Sequence, residues 1–205
     1  MNDSNLAING GAKVREKPYP GWPHFYEDEI AEVEKVLREK KVIYWTGQRG
    51  QQFQQKFADY CGAKHGVAVM NGTAALHCAL AAAGIGPGDE VIVPCRTFIA
   101  TAFAVVHQNG VPVFADVDPR THNISVESIK QQITERTKAI VVVHLAGLTC
   151  DMDPIMELAK EHNLVVIEDA AQAHGAEYKG KRAGSLGDIA AFSFCNDKIY
   201  TTGGE

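Results

Sequence analysis

The sequence predicts an α/β fold in which a mostly parallel sheet is flanked by helices. Three observations carry that prediction. Short apolar, β-rich runs recur at 67–70, 91–93, 111–114, 139–143, 164–167 and 189–194. Most of them lack polar alternation, the pattern of strands covered on both faces. Helix-like segments lie between them, and such crossovers join parallel strands.

Residues 1–20 read as an arm, with Gly10-Gly11, Pro18 and Pro20. A charged helix is predicted over 28–40, where Ile30, Val33, Val36 and Leu37 recur at helical spacing. Tyr44-Trp45-Thr46-Gly47 reads as a loop, after which Phe53, Phe57 and Tyr60 share one face of a second helix. The run 73–83 is rich in Ala and Leu and stops at Gly84, and 97–108 ends before Asn109-Gly110. Ser125 caps a helix over 125–133. Asp153, followed by Pro154 at the first helical position, caps one over 153–162.

The 205 residues are 45% hydrophobic and 22% charged, enough for a substantial core and unlike a long disordered tail. Asp and Glu (25) outnumber Lys and Arg (20), and a net charge of −5 argues against general nucleic-acid binding. No apolar run reaches the roughly 18–20 residues of a membrane span. The first residues lack the apolar segment of a secretory leader. None of the five cysteines forms a C-x-x-C pair. Reduced thiols in the cytoplasm are therefore expected, with Cys61 and Cys78 as core filler. The eight histidines form no metal-binding pattern.

In an open parallel sheet, ligands bind beyond the carboxyl ends of the strands. After 67–70 comes Asn71-Gly72-Thr73, a small turn feeding a helix N-terminus. Backbone amides and the helix dipole there suit an anion, although an ordinary tight turn has the same composition. After 164–167 come Glu168 and Asp169, with Gln172 and His174 close behind. A carboxylate at a buried strand end needs a partner, and a cationic ligand nitrogen would serve. The plainer alternative is a solvated loop with a capping Asp. Lys198 follows Phe192-Ser193-Phe194. A lysine facing an anion cradle and a carboxylate can act as a nucleophilic amine, whereas most lysines are surface charges. The glycine run 84–88 resembles a dinucleotide fingerprint and offers an oxidoreductase reading. It follows a helix instead of a strand, and Pro87 breaks it.

The segments N-G-T-A-A-L (71–76), E-D-A-A-Q-A-H-G-A (168–176) and F-S-F-C-N-D-K with T-T-G-G-E (192–205) occur in this order. Together with G-P-G-D-E-V-I-V-P (86–94), T-F-I-A-T (97–101), D-V-D-P-R-T (116–121) and V-H-L-A-G (143–147), they resemble the DegT/DnrJ/EryC1/StrS family. These are sugar aminotransferases of fold type I that use pyridoxal 5′-phosphate (PLP). The resemblance implies that Lys198 holds PLP covalently and moves the substrate proton. Asp169 then pairs with the pyridinium nitrogen, and Gln172 bonds the phenolic oxygen. Phe98 stacks on the ring, while Gly72, Thr73 and Ser193 bind the phosphate. His174 lies near substrate.

The implied activity moves an amino group, usually from glutamate, to a nucleotide-linked keto-sugar or related cyclic ketone. A homodimer is also implied. Cys195-Asn196-Asp197 replaces the His-Pro frequent in the family before the lysine, and V-H-L-A-G-L-T-C-D-M-D resembles a branch acting on other rings. Lys198 argues against the dehydrating branch, which has His there. Residues 21–205 are expected to form a PLP-binding large domain truncated at its C-terminal end, with the smaller C-terminal domain outside the chain. A catalytically inactive fragment that keeps the cofactor-binding fold is the alternative.

Overall fold

The computed structural model describes residues 6–204. Its elements, in order, begin with helices α1 (Glu27–Glu39), α2 (Arg49–Cys61) and α3 (Gly72–Ala82). Strand β1 (Glu90–Pro94), helix α4 (Ala100–His107), strand β2 (Val111–Ala115) and helix α5 (Val126–Gln132) follow. Next come β3 (Thr137–Val143), α6 (Met152–His162) and β4 (Val165–Asp169). A small antiparallel hairpin of β5 (Glu177–Tyr178) and β6 (Lys181–Arg182) precedes β7 (Ile189–Ala191). The main sheet has five strands in the order β2-β1-β3-β4-β7, and every pairing is parallel. The predicted α/β architecture is therefore present. No helix among the described residues is long and apolar enough to cross a membrane.

Strand periodicity sorts the core into two layers. Val91, Val93, Ala139, Val141 and Ile167 face one side, against Leu76 and Leu80 of α3 and Ala104 and Val105 of α4. Ile92, Ile140, Val142 and Val166 face the other, against Ile129 of α5 and Ile155 and Leu158 of α6. Successive side chains of a strand alternate between faces, so an unbroken apolar run is what a doubly covered strand needs. Register brings Val143, Asp169 and Ala191 side by side at the carboxyl ends of β3, β4 and β7.

Several expectations are corrected. Residues 67–70 lie in no ladder and bend at Met70, with Val67 80% exposed; Ala68 N–H donates instead to Gln54 Oε1 at 2.9 Å. An apolar run becomes a strand only beside a neighbour that supplies hydrogen bonds. Here an open cleft of about 680 Å³ separates 66–69 from β7, the sheet's edge among the described residues. Cys78 lines that cleft and is exposed, whereas Cys61 is buried as expected. The strand expected over 189–194 ends at Ala191. Strand β2 is not doubly covered either: Val111 and Phe114 are exposed, and Pro112 suits an edge position.

Helix α6 begins one residue before Asp153, with Asp151 at the cap position. The side chain of Asp151 is engaged by the Tyr178 hydroxyl, and Asp153 pairs with Lys179. Helix α4 starts at Ala100 instead of 97. Ser125 caps α5 as expected, accepting from Ser128 N–H at 3.3 Å. Of the expected arm, residues 1–5 lie outside the described residues. The remainder is exposed apart from Gly11, which is half-buried, and Trp22 just beyond it donates its indole N–H to the Asn196 carbonyl at 2.7 Å.

Glu168 is fully buried on the α5/α6 side. It accepts N–H bonds from Gly184, Leu186 and Gly187, each at 2.8 Å, and meets His144 Nε2 at 3.0 Å. His144 Nδ1 accepts from Cys150 N–H at 3.1 Å, which puts the imidazole proton on Nε2, facing Glu168. Burial alone would raise the Glu168 carboxyl, but His144 and the Gly184 and Gly187 amides outweigh it and hold it below the usual range. A folded-state pKa below the unfolded value adds stability that is present above about pH 4.3 and is lost as pH falls through the folded value. Glu168→Gln, which offers an amide donor to these donors, is expected to destabilise the protein by about 3 kcal/mol. In urea titrations its midpoint should fall at pH 7, and part of the wild-type loss of stability below pH 4.3 should disappear.

Candidate active site

The residues singled out in the sequence lie at the start of α3, just before α4, at the end of β4 and the turn after it, and in the segment after β7. Asp169 ends β4, one residue after Glu168 and therefore on the opposite face. It is nearly fully buried on the α4 side. Thr101 donates its hydroxyl to Oδ2 at 2.7 Å, and Ala171 donates its N–H to Oδ1 at 3.3 Å. Burial pushes this carboxyl above the usual range against the Thr101 and Ala171 bonds, with His144 and the Lys198 charge also opposing.

The anion cradle is built by close approach. Asn71 caps α3 by accepting Ala74 N–H at 2.8 Å, which sets Gly72 and Thr73 at the helix N-terminus. A Cβ on Gly72 would stand 2.7 Å from the Ser193 Cβ, so only glycine lets these segments touch. Residues 192–194 put Phe192 and Phe194 against Phe57 of α2, with centroids at 4.9 and 5.3 Å. Ser193 between them takes the other side and packs on Gly72. Its Oγ also accepts Cys195 N–H at 3.4 Å.

Lys198 closes a turn in which its N–H donates to the Cys195 carbonyl at 3.0 Å, and Thr201 Oγ1 donates to the Phe194 carbonyl at 2.8 Å. The lysine side chain is only 18% exposed, and Nζ donates to Asp197 Oδ2 at 3.1 Å. That bond, followed by one from Cys195, holds the Asp197 carboxyl below its usual range. Gln172 is exposed, and its Oε1 accepts Ala146 N–H at 2.7 Å. Ala146 holds a left-handed φ of 52°, a backbone cost accepted where it presents that N–H to Gln172. Phe98 is 68% exposed just before α4, with its ring face uncovered by the described aromatics.

His174 sits apart from this polar group, in a box of Phe57, Phe192 and Phe194. Neither ring nitrogen has a hydrogen-bond partner among the described residues. Burial lowers its pKa; the Ser193 backbone offsets part of this without the alignment of a hydrogen bond, and the Lys198 charge adds to it. The glycine run 84–88 joins α3 to the start of β1, at the amino end of the sheet and away from these residues.

Sequence reasoning missed Thr97, Thr101 and the packing of Trp22 on the lysine turn. Both threonines lie inside T-F-I-A-T, but nothing in that string says which residue faces Asp169.

These side chains fit PLP on two observations. A carboxylate with two neutral donors and, among the described residues, no bonded cation suits a cationic ring nitrogen. A helix N-terminus pressed on a serine through a glycine suits a phosphate.

The sequence profile of the DegT/DnrJ/EryC1/StrS aminotransferase family matches residues 23–205. GDP-perosamine synthase of Caulobacter vibrioides is 60% identical over 152 residues, which is 74% of this chain and 41% of that protein. L-glutamine:2-deoxy-scyllo-inosose aminotransferase of Streptomyces lividus is 44% identical over 204 residues, 97% of this chain and 48% of that one. The fold superposes on an aminotransferase from Psychrobacter cryohalolentis with a TM-score of 0.90 and 56% identity, over 92% of this chain and 48% of that one. The chain thus spans about half the length of the curated relatives it matches. PLP is the cofactor of this family, and the sheet and flanking helices are those of fold type I. By sequence profile and by fold, the chain belongs to the DegT/DnrJ/EryC1/StrS aminotransferase family.

Proposed function

We propose that the protein transfers an amino group from glutamate or glutamine to a nucleotide-linked keto-sugar or a related cyclic ketone. One observation supports this reading: the buried Asp169 carboxylate feels the Lys198 charge, and Ser193, in the same segment as Lys198, packs on Gly72 at the start of α3. The names of the relatives support both substrate classes, with the higher identity on the GDP-linked side.

When bound, PLP supplies an electron sink for the carbon that loses its proton. The chain's own residues do the remainder. Asp169 keeps a ring nitrogen protonated beside it, which is what makes the sink effective. Gly72, Thr73 and Ser193 would hold the phosphate. Gln172, its Oε1 taken by Ala146 N–H, would keep Nε2 free for the phenolic oxygen. Phe98 would cover the ring. Lys198 Nζ takes the proton from the donor's carbon and returns it on the acceptor side, once it leaves Asp197. His174, which the family resemblance would put near substrate, instead packs with Phe57, Phe192 and Phe194 behind the segment that carries Ser193.

Adding PLP is expected to produce a visible absorption band that Lys198→Ala abolishes; a wild-type protein without that band would overturn the reading. Glutamate and glutamine, each tried with nucleotide keto-sugars and cyclitol ketones, then identify the pair that turns over. Gly72→Ala should weaken PLP binding about tenfold or more, since the cradle must open by several tenths of an ångström.

A second copy of the chain is the proposed partner. Helix α1 buries none of its residues and leaves Ile30, Val33 and Leu37 in water, while Phe103 and Phe114 are exposed near the sheet edge. Isolated apolar side chains are common on surfaces, but faces of this kind mark interfaces. Sedimentation should show a dimer that Val33→Asp weakens.

A further inference from the structure

Asp169 is held from the α4 side by a contact that none of the roles above uses. Its Oδ2 lies 2.7 Å from Thr101 Oγ1, and that hydroxyl lies 2.7 Å from Thr97 Oγ1. Thr101 is fully buried in the first turn of α4. A hydroxyl has one proton to give, and an ionised carboxylate only accepts. Thr101 therefore donates to Asp169 and accepts from Thr97, so both bonds have a fixed direction. A helical threonine is restricted to two χ1 rotamers, and the contacts with Asp169 and Thr97 select the one that points the hydroxyl at the carboxylate.

This arrangement is matched to a charged carboxylate. The titratable groups facing Asp169 are Lys198, from the turn after β7, and His144, just after β3. Lys198 Nζ bonds Asp197, and His144 bonds Glu168 on the opposite face. Among the described residues, the bonds to Asp169 itself come from Thr101 and Ala171, and the shorter is the hydroxyl.

We propose that Thr101, backed by Thr97, is a positioning residue that keeps the Asp169 carboxylate ionised and in one orientation for the ring nitrogen of the cofactor. The inference rests on the PLP reading above.

The test uses carbon NMR of carboxyl-labelled Asp in the cofactor-free protein, with Asp169→Asn assigning the resonance. Thr101→Val keeps the shape and removes the donor. It should raise the Asp169 titration midpoint by about one pH unit, tenfold in proton affinity. Thr101→Ser should restore most of the shift, and Thr97→Val should give a smaller rise. Circular dichroism checks that each variant folds. With PLP, Thr101→Val should lose about tenfold in affinity while its Lys198-dependent band remains. An unchanged midpoint in a folded Thr101→Val protein overturns the proposal, as does a Thr101→Ser variant that shifts as far as the valine. A Thr101 shift in a protein whose wild type forms no such band overturns the aminotransferase reading and leaves the threonine–carboxylate coupling supported.

Discussion

Two consecutive carboxylates, Glu168 and Asp169, are buried at the end of one strand, and the rest of the architecture answers to that burial. An ionised side chain in the interior is costly unless charge or donors meet it. Strand alternation sends the two to opposite faces, so each must be satisfied by a different set of elements. On the α5/α6 side, Glu168 collects three backbone amides and a histidine whose proton is fixed by a fourth amide. On the α4 side, Asp169 has one hydroxyl and one amide. Saturated by donors, Glu168 is a fastener. Asp169, less fully met, keeps capacity for an outside cation, which is what the proposed role toward a ring nitrogen needs.

The same division explains the pKa directions. Burial acts on both carboxyls in the same sense. It is outweighed where donors are many and prevails where they are few. A raised acid value in the folded state makes Asp169 oppose folding at neutral pH, the reverse of its neighbour. The site is thus assembled at the expense of stability supplied next door.

Much of this was legible in the chain. The unbroken apolar runs read correctly as parallel strands wherever neighbours cover them, and Ser125 read correctly as a cap. Legibility failed where structure depends on an element's surroundings. Residues 67–70 are apolar enough for a strand, but ladder partners are not encoded in a run's own composition. The β5–β6 hairpin turns at Lys179-Gly180, both at positive φ; a lysine in the first position hides the usual Asn-Gly signal. Lys198, Asp169 and the Gly72 turn were singled out because each lies at or after an apolar run; Asp169 in fact ends β4, and the run before Gly72 joins no ladder. Thr101 was not, because its contact spans 68 residues and one face of a short helix. Ser193 shows the intermediate case: the Phe-Ser-Phe alternation announces two opposed faces, yet only the folded chain shows which face meets Gly72.

The fastening of Glu168 also bears on the order in which the chain comes together. His144 precedes it by 24 residues, while Gly184, Leu186 and Gly187 follow it by 16 to 19. During synthesis, β4 leaves the ribosome before most of its donors exist. Seating β4 between β3 and β7 without the 184–187 loop would bury a carboxylate without its amides, which disfavours that arrangement. The strand and that loop therefore enter the fold as one unit. The lysine turn follows, tied to Trp22 across 174 residues of chain. Contacts of such long span are slow to form. Among the described residues, the lysine turn is thus seated later than the strand and loop that hold Glu168.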